Sequence, residues 1–409
     1  MSETIAIVGA GQTAAQAIDS LRREGFDGRL VLIGEEPPQP YQRPPLSKKY
    51  LSGELPAARL AIRPPRFYEE SRVELKLGVA AAGLDLGRRE LTLADGEKVP
   101  YDRLLLATGT TPRRLAVPGH ELGGVHYLRT VADVDRIRAE LASARNVVVI
   151  GAGYIGLEVA ASCRGLGLGV VVLEMADRVM NRVVAPAVSR FYAAEHAARG
   201  VAIHTGALVS HLSAANDAPG RVAAVETFGG EVFPADVVIV GIGVVPVIGL
   251  ALAAGLACEN GIAVDEHCRT SDSHVFAAGD CASHPSPRYG RRVRLESVDN
   301  AFEQSKSAAL NLVGKPTPHN KVPWFWSDQF DLKLLIVGLS QDYDQVVLRG
   351  DPATRSFGCA YLRGTELIAM DCINSPRDYM AAKKLIAERA SCDPAKLADP
   401  AVALKDTGP

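Results

Sequence analysis

An α/β fold is predicted for this 409-residue chain: two Rossmann-like dinucleotide-binding domains, the second inserted in the first, plus a C-terminal α+β domain. Three observations predict it. A glycine loop occurs twice, each time directly after a buried-strand pattern and just before a helix. Each copy leads to a second apolar run that ends in a carboxylate. From residue 324 the pattern changes to closely spaced strands followed by one helix.

In chain order, Ile5-Ala6-Ile7-Val8 reads as a buried strand and runs into Gly9-Ala10-Gly11-Gln12-Thr13-Ala14. Leu30-Val31-Leu32-Ile33-Gly34 is the next strand and ends at Glu35. Val147-Val148-Val149-Ile150 likewise runs into Gly151-Ala152-Gly153-Tyr154-Ile155-Gly156, and Val170-Val171-Val172-Leu173 ends at Glu174. In such a loop the first glycine permits the tight turn. The second lets backbone approach a pyrophosphate, and the third small residue packs helix on strand. The helix N-terminus adds free N–H groups and partial positive charge. The acidic residue is placed to bind a ribose hydroxyl. One GxGxxG is a weak signal; two in this context imply two dinucleotides on one polypeptide.

Between the repeats lies a Pro-rich loop, Pro37 to Lys48. Residues 72–101 show short alternating runs with turns at Asp85-Leu86-Gly87 and Asp95-Gly96, as in a small antiparallel sheet. Tyr101 to Gly109 is a buried strand ending in a glycine turn, and Pro112 and Pro118-Gly119 mark a linker. The second repeat closes at Asp236 to Gly243. His274 to Asp280 is a buried strand whose last residue is acidic, followed by a helix rich in small residues over about 298–313. After Trp324-Phe325-Trp326 come strands at 333–338, 344–349, 356–362 and 366–371, then a helix near 376–389. The expected domains are 1–111 with 245–323, then 112–244, then 324–409.

Apolar content of 47% supports large cores, and a net charge of −2 argues against nucleic acid as the main partner. The first strand begins within a few residues of Met1, which leaves no room for a signal peptide. Seven cysteines are scattered with no CxxC and no metal-ligand spacing, so reduced thiols in a cytoplasm are expected. Val237 to Cys258 is uncharged and long enough to cross a bilayer. Gly241, Gly243, Pro246, Gly249 and Gly255 interrupt it, so it reads as a strand at Val237–Val240, a glycine turn and a short apolar helix.

Four motifs in order resemble the two-dinucleotide-binding-domain flavoproteins of the glutathione-reductase-like fold. They are Gly9 to Ala14, Ala107-Thr108-Gly109, Gly151 to Gly156 and Ala277 to Asp280, and the resemblance covers essentially the whole chain. Within that group, Tyr41 to Lys48, Tyr154-Ile155-Gly156-Leu157-Glu158 and Pro323 to Gln329 resemble the NADH-dependent ferredoxin reductases. The resemblance implies FAD on the first loop, with Gly9, Gly11, Thr13 and Ala14 cradling its pyrophosphate. Glu35 would bind the adenosine ribose, Ala81 the adenine through backbone, and Arg129 would support the phosphates. Asp280 would bond the ribityl chain and Val298 lie by the flavin ring. Arg43, Lys48, Thr108, Gly109 and Trp326 complete the implied FAD site. NADH would lie on Gly151, Gly153, Ile155, Gly156, Glu158, Glu174, Arg182 and Gly243. Ala14 stands where the strict motif has Gly, an accepted variant.

A carboxylate at Glu174 bonds the ribose hydroxyls of NAD and repels the 2′-phosphate of NADP, which favours NADH, although Arg178 and Arg182 follow closely. Glu158 sits one turn into its helix in an otherwise apolar stretch. A buried carboxylate must find a partner or take a proton. The resemblance places Lys48 opposite it, near the reactive N5 of the flavin. There the pair would orient nicotinamide and flavin; a structural ion pair is the alternative. Neither residue needs to act as acid or base, because hydride passes directly between the two rings and positioning is the main contribution. Trp326 would lie near the isoalloxazine on the acceptor side, or serve only as core.

Disulfide reductases of this fold carry two cysteines after the first loop, and peroxidases and oxidases carry one. Arg43 to Lys48 has none. Cys163, in the second helix, reads as packed core. The electrons must then pass to an outside acceptor. The expected partner is a small acidic [2Fe–2S] ferredoxin that supplies a cytochrome P450 or Rieske-type oxygenase, and it calls for a basic patch. Arg288, Arg291, Arg292 and Arg294 form the densest basic run, with docking near Arg291 and Arg292. Arg63, Arg66, Lys383 and Lys384 are further candidates. The rival readings are a rubredoxin reductase, an NADH oxidase and an NADH-sensing interaction flavoprotein.

Overall fold

The structure is a computed structural model that describes residues 3–215 and 218–408. It comprises two compact units. One consists of Met1–Gln42, Ala57–Thr111 and Val245–Pro323, the other of Arg43–Pro56, Pro112–Val244 and Trp324–Pro409.

In the first unit, five strands form a parallel sheet in the order Val275–Ala277, Arg103–Leu106, Thr4–Val8, Arg29–Gly34 and Val73–Leu77. Their near-continuous apolar sequences suit strands covered on both faces. Side chains alternate between the faces. Ile5, Ile7, Leu30, Leu32 and Leu105 pack against Ala14, Ile18 and Leu21 of the helix Gln12–Arg23 and Ala308 and Leu312 of the helix Val298–Leu312. Ala6, Val8, Val31, Ile33 and Leu106 face Leu91, Leu93 and Val99 of an antiparallel meander. That meander is Ala81–Asp85, Glu90–Leu93 and Lys98–Pro100, with its turns at the predicted places. Val73–Leu77 does not belong to it. It joins the parallel sheet beside Arg29–Gly34, with Leu75 opposite Leu32. A parallel neighbour needs a long crossover, and residues 35–72, including the unanticipated helix Pro65–Glu70, supply one.

The second unit repeats the parallel sheet, in the order Val201–Thr205, Gly169–Glu174, Asn146–Ile150, Val237–Val240 and Val125–Tyr127. A three-stranded antiparallel layer, Val209–Ala214, Val222–Thr227 and Val232–Pro234, closes the same core through Leu212, Val225 and Phe233. The C-terminal segment forms a five-stranded antiparallel sheet in the order Trp324–Gln329, Leu332–Gly338, Glu366–Ile373, Phe357–Arg363 and Gln345–Arg349. The helix Pro376–Ala387 follows it and buries Tyr379, Ala382 and Ile386. Residues 43–56, part of the first domain by sequence, cluster with this second unit. The uncharged stretch from Val237 is the strand Val237–Val240, a turn, an unanticipated short strand Val244–Pro246 and the five-residue helix Gly249–Ala253. Among the described residues, no helix is long and apolar enough to cross a membrane.

Candidate functional site

Both glycine loops have the same construction. Gly9 and Gly151 sit at φ +106° and +103°, and a Cβ there would collide with the carbonyl oxygen of Ala107 or Gly241 respectively. Only glycine fits that close approach. Gly11 and Gly153 cap the helices Gln12–Arg23 and Tyr154–Gly165, and a Cβ on either would meet no atom within 4 Å. Open space therefore lies in front of free helix N–H groups, and a pyrophosphate fits there. The third positions differ. A methyl on Gly156 would strike the Gly151 carbonyl oxygen, whereas Ala14 is accommodated fully buried.

The first unit gathers most of the residues expected for FAD. Glu35 is exposed at its strand end, and Ala81 opens the meander half-buried. Thr13 packs against the Gly279 turn, which leaves no room for a side chain on Gly279. The Thr108 hydroxyl donates to the Val247 carbonyl at 2.6 Å, and the Gly109 carbonyl accepts from the Val247 N–H at 2.9 Å. Gln304, which sequence reasoning did not single out, is fully buried and accepts the Gly279 N–H at 2.8 Å. Arg294 donates to the Asp280 carbonyl at 3.1 Å. Val298 opens its helix, where the Ser297 hydroxyl accepts the Asn300 N–H. Arg43, Lys48, Arg129 and Trp326 belong to the second unit. There Arg43 donates to the Arg129 carbonyl at 2.7 Å, and Trp326 lies half-buried, 5.5 Å from the Trp324 ring.

Around the second loop, Glu174 accepts the N–H of Ala152 at 2.7 Å and of Ala176 at 2.9 Å. Those two donors fix the carboxylate at the strand end. Ile155 is 46% exposed on the first helical turn. Arg182 is exposed and reaches Gly243, its guanidinium 3.6 Å from where a Cβ would stand. Arg178 turns inward instead, donating to the carbonyls of Val184 and Asn181 and to the Ser189 hydroxyl. It is thereby committed to the fold, a distinction that spacing alone does not make.

Glu158 is 4% exposed. Its Oε2 accepts from Lys48 Nζ at 2.7 Å and from the Ser47 hydroxyl at 2.6 Å, and its Oε1 from the Ser327 hydroxyl at 2.7 Å. Lys48 also donates to the Pro44 carbonyl at 3.2 Å. The structure thus brings Lys48 and Glu158 together and adds two serines that sequence reasoning missed. Both lie inside the motifs Tyr41 to Lys48 and Pro323 to Gln329, which was the only signal for them.

All seven cysteines are free, and six are buried. Burial pushes the Cys163 thiol up to about 12, far from a reactive thiolate. The basic run is divided: Arg291 is exposed, whereas Arg292 donates to the carbonyls of Val264 and Ser283 and Arg294 pairs with Glu296 at 2.7 Å.

Two dinucleotide loops on two parallel sheets, with a buried ion pair behind the second, define an oxidoreductase of the two-nucleotide flavoprotein class. Comparison with known proteins narrows this. Residues 3–305 match the pyridine nucleotide-disulphide oxidoreductase family and 324–408 the reductase C-terminal family. Rhodocoxin reductase of Rhodococcus erythropolis is 43% identical over 97% of this chain and 92% of its own length. Putidaredoxin reductase of Pseudomonas putida is 41% identical over 99% and 96%. The crystal structure of a covalent putidaredoxin reductase–putidaredoxin complex superposes with a TM-score of 0.96 at 41% identity, covering 99% of this chain and 98% of that one. The chain belongs to the NADH-dependent ferredoxin reductases. FAD and NADH are its cofactors.

Proposed function

We propose that the chain oxidises NADH and passes the electrons to a small acidic [2Fe–2S] ferredoxin, which supplies a cytochrome P450 or Rieske-type oxygenase. The transfer from NADH to a ferredoxin is the activity of its family. FAD supplies two-electron uptake and one-electron release. The cytoplasm is the proposed site of action, in keeping with seven unpaired thiols.

Residues 1–111 and 245–323 form the FAD-binding domain in this reading, 112–244 the NADH-binding domain, and 324–409 the C-terminal domain. Gly9, Gly11, Thr13 and Ala14 take the FAD pyrophosphate, with Glu35, Ala81, Arg129, Asp280 and Val298 along the cofactor. Gly151, Gly153, Gly156 and Glu174 take NADH, with Ile155, Arg182 and Gly243 beside it. Lys48 and Glu158 orient the two reacting rings. The observation that carries this is Glu158: a carboxylate rooted one turn behind the NADH loop, buried, and joined to Lys48. Positioning of this kind contributes orders of magnitude to rate without any proton transfer. Docking near Arg291 and Arg292 is part of this proposal; Arg291 is exposed on the surface, and Arg292 donates to backbone.

Two measurements test the proposal. Lys48→Ala should slow flavin reduction by NADH at least tenfold in stopped-flow mixing; wild-type rates would return the pair to a structural role. Steady-state NADH oxidation against a panel of ferredoxins, with cytochrome c as final acceptor, should show rapid turnover with an acidic [2Fe–2S] member. Faster turnover with rubredoxin, or with O₂ alone, would identify a different acceptor. Slow turnover with every acceptor, together with an NADH-dependent change in mass, would indicate a sensing role.

A further inference from the structure

The Glu158 carboxylate is the end of a buried hydrogen-bond chain that no part of the reaction so far accounts for. Ser327 and Gln329 lie on the strand Trp324–Gln329, with His196 on the helix Pro186–Ala198, and all three are fully buried. Ser327 Oγ is 2.7 Å from Glu158 Oε1, Gln329 Nε2 is 3.2 Å from Ser327 Oγ, and His196 Nε2 is 2.9 Å from Gln329 Oε1.

The direction of every bond follows from the carboxylate end. A carboxylate accepts, so the single Ser327 proton goes to Glu158. Ser327 must then accept from Gln329, which presents its amide N–H. The amide oxygen of Gln329 faces His196, so His196 Nε2 carries a proton and donates. Burial keeps the imidazole neutral by lowering its proton affinity. Its Nδ1 has no hydrogen-bond partner, as the neutral ring with its proton on Nε2 allows. Each bond polarises the next in the same sense. Meanwhile Oε2 is left to Lys48 and Ser47. The two carboxylate oxygens therefore have separate holders, and the side chain cannot rotate without breaking both.

We propose that Ser327 and Gln329 are positioning residues for the reaction with NADH: they hold the Glu158 carboxylate so that Lys48 is fixed in turn. The same strand presents Trp326, one residue before Ser327. The proposal rests on the reading of Lys48 and Glu158 as the ring-orienting pair.

Ser327→Ala should slow flavin reduction about tenfold, the effect of removing one hydrogen bond to a charged group. The dissociation constant for NAD⁺ and the visible absorption spectrum of bound FAD should stay near wild type, which separates positioning from loss of binding or folding. Ser327→Thr, which keeps the hydroxyl, should restore most of the rate. Gln329→Met, which cuts the chain one bond further away, should slow it less. The deciding comparison is Ser327→Ala in a Lys48→Ala background. No further slowing there supports the proposal, because the serine then acts through the pair. An undiminished tenfold effect overturns the proposal while leaving the pair intact. Wild-type flavin reduction in Lys48→Ala alone overturns the reading of the pair, and this proposal with it.

Discussion

At the scale of the residue, function depends on where two carboxylates point. Glu174 was legible in the sequence because a strand pattern ends on it; that two backbone N–H groups hold it was not, since backbone donors leave no trace in side-chain identity. Its remaining lone pairs can accept ribose hydroxyls, and its charge opposes a 2′-phosphate. Arg178, the nearer competing cation, is occupied by Val184, Asn181 and Ser189. Glu174→Ala should therefore raise the Michaelis constant for NADH about tenfold and narrow the preference over NADPH, as steady-state kinetics with both cofactors would show. An unchanged NADH/NADPH ratio would remove the role given to Glu174. Glu158 teaches the complementary lesson. An acid in an apolar helix announces that partners exist, and Lys48 was found by resemblance. Ser47 and Ser327 carry no periodic signal, and sequence cannot count hydroxyls around a buried oxygen.

At the scale of the element, the two loops share their first three residues, and at the third small position of the motif they differ by one methyl. Strand, turn and helix were legible because apolar runs and glycines mark them. The spacing between helix and loop was not legible. Ala14 fits, whereas a Cβ on Gly156 meets the Gly151 carbonyl oxygen. Backbone cannot yield as a side-chain tip can, so the helix Tyr154–Gly165 would have to shift. Gly156→Ala is expected to weaken NADH binding at least tenfold in a titration and to lower stability by roughly 1–3 kcal/mol in thermal melts. Ala14→Gly should cost only about 1 kcal/mol or less. Equal effects of the two substitutions would show that the helices stand at the same distance from their loops. The strand Trp324–Gln329 illustrates the opposite failure. Its inward residues Ser327 and Gln329 are polar, so no hydrophobic alternation marks it, and the sequence shows only a cluster of aromatic side chains.

At the scale of the whole molecule, the order of motifs was legible end to end, but not which segments share a unit. Residues 43–56 and 324–409 join 112–244 through individual polar contacts: Lys48 with Glu158, Tyr50 with Asp135, and the Ala185 N–H with the Tyr361 hydroxyl. The two units also carry buried titratable groups in a different balance. In the first, burial lowers His284 to about 4 and His319 to about 3, and the rings meet edge to face with centroids 4.8 Å apart. Once unfolded, both bind protons near pH 6.5, so below that value the unfolded state holds more protons and stability falls as pH drops. In the second unit, burial raises Asp371 to about 7, and the Tyr361 hydroxyl donates to it. The unfolded carboxyl loses its proton near pH 4, so this contribution is complete below that value and is lost as pH rises through about 7. Acid thus weakens the unit with Gly9, Gly11 and Asp280, whereas in the other unit the gain at Asp371 opposes the loss at His196, whose proton affinity burial also lowers. Both tryptophans, Trp324 and Trp326, lie in the second unit, so their fluorescence reports that unit, while flavin release reports chiefly the first, which carries the loop proposed for the FAD pyrophosphate. In thermal melts at pH 5 the flavin should leave several degrees below the tryptophan transition. At pH 8 the two transitions should draw together. Asp371→Asn keeps an acceptor for Tyr361 and removes the titration, so it should raise the tryptophan transition at pH 8 and leave the flavin transition at pH 5 unchanged. Superposed transitions at both pH values would mean that the buried imidazoles and Asp371 do not set the stability of their units.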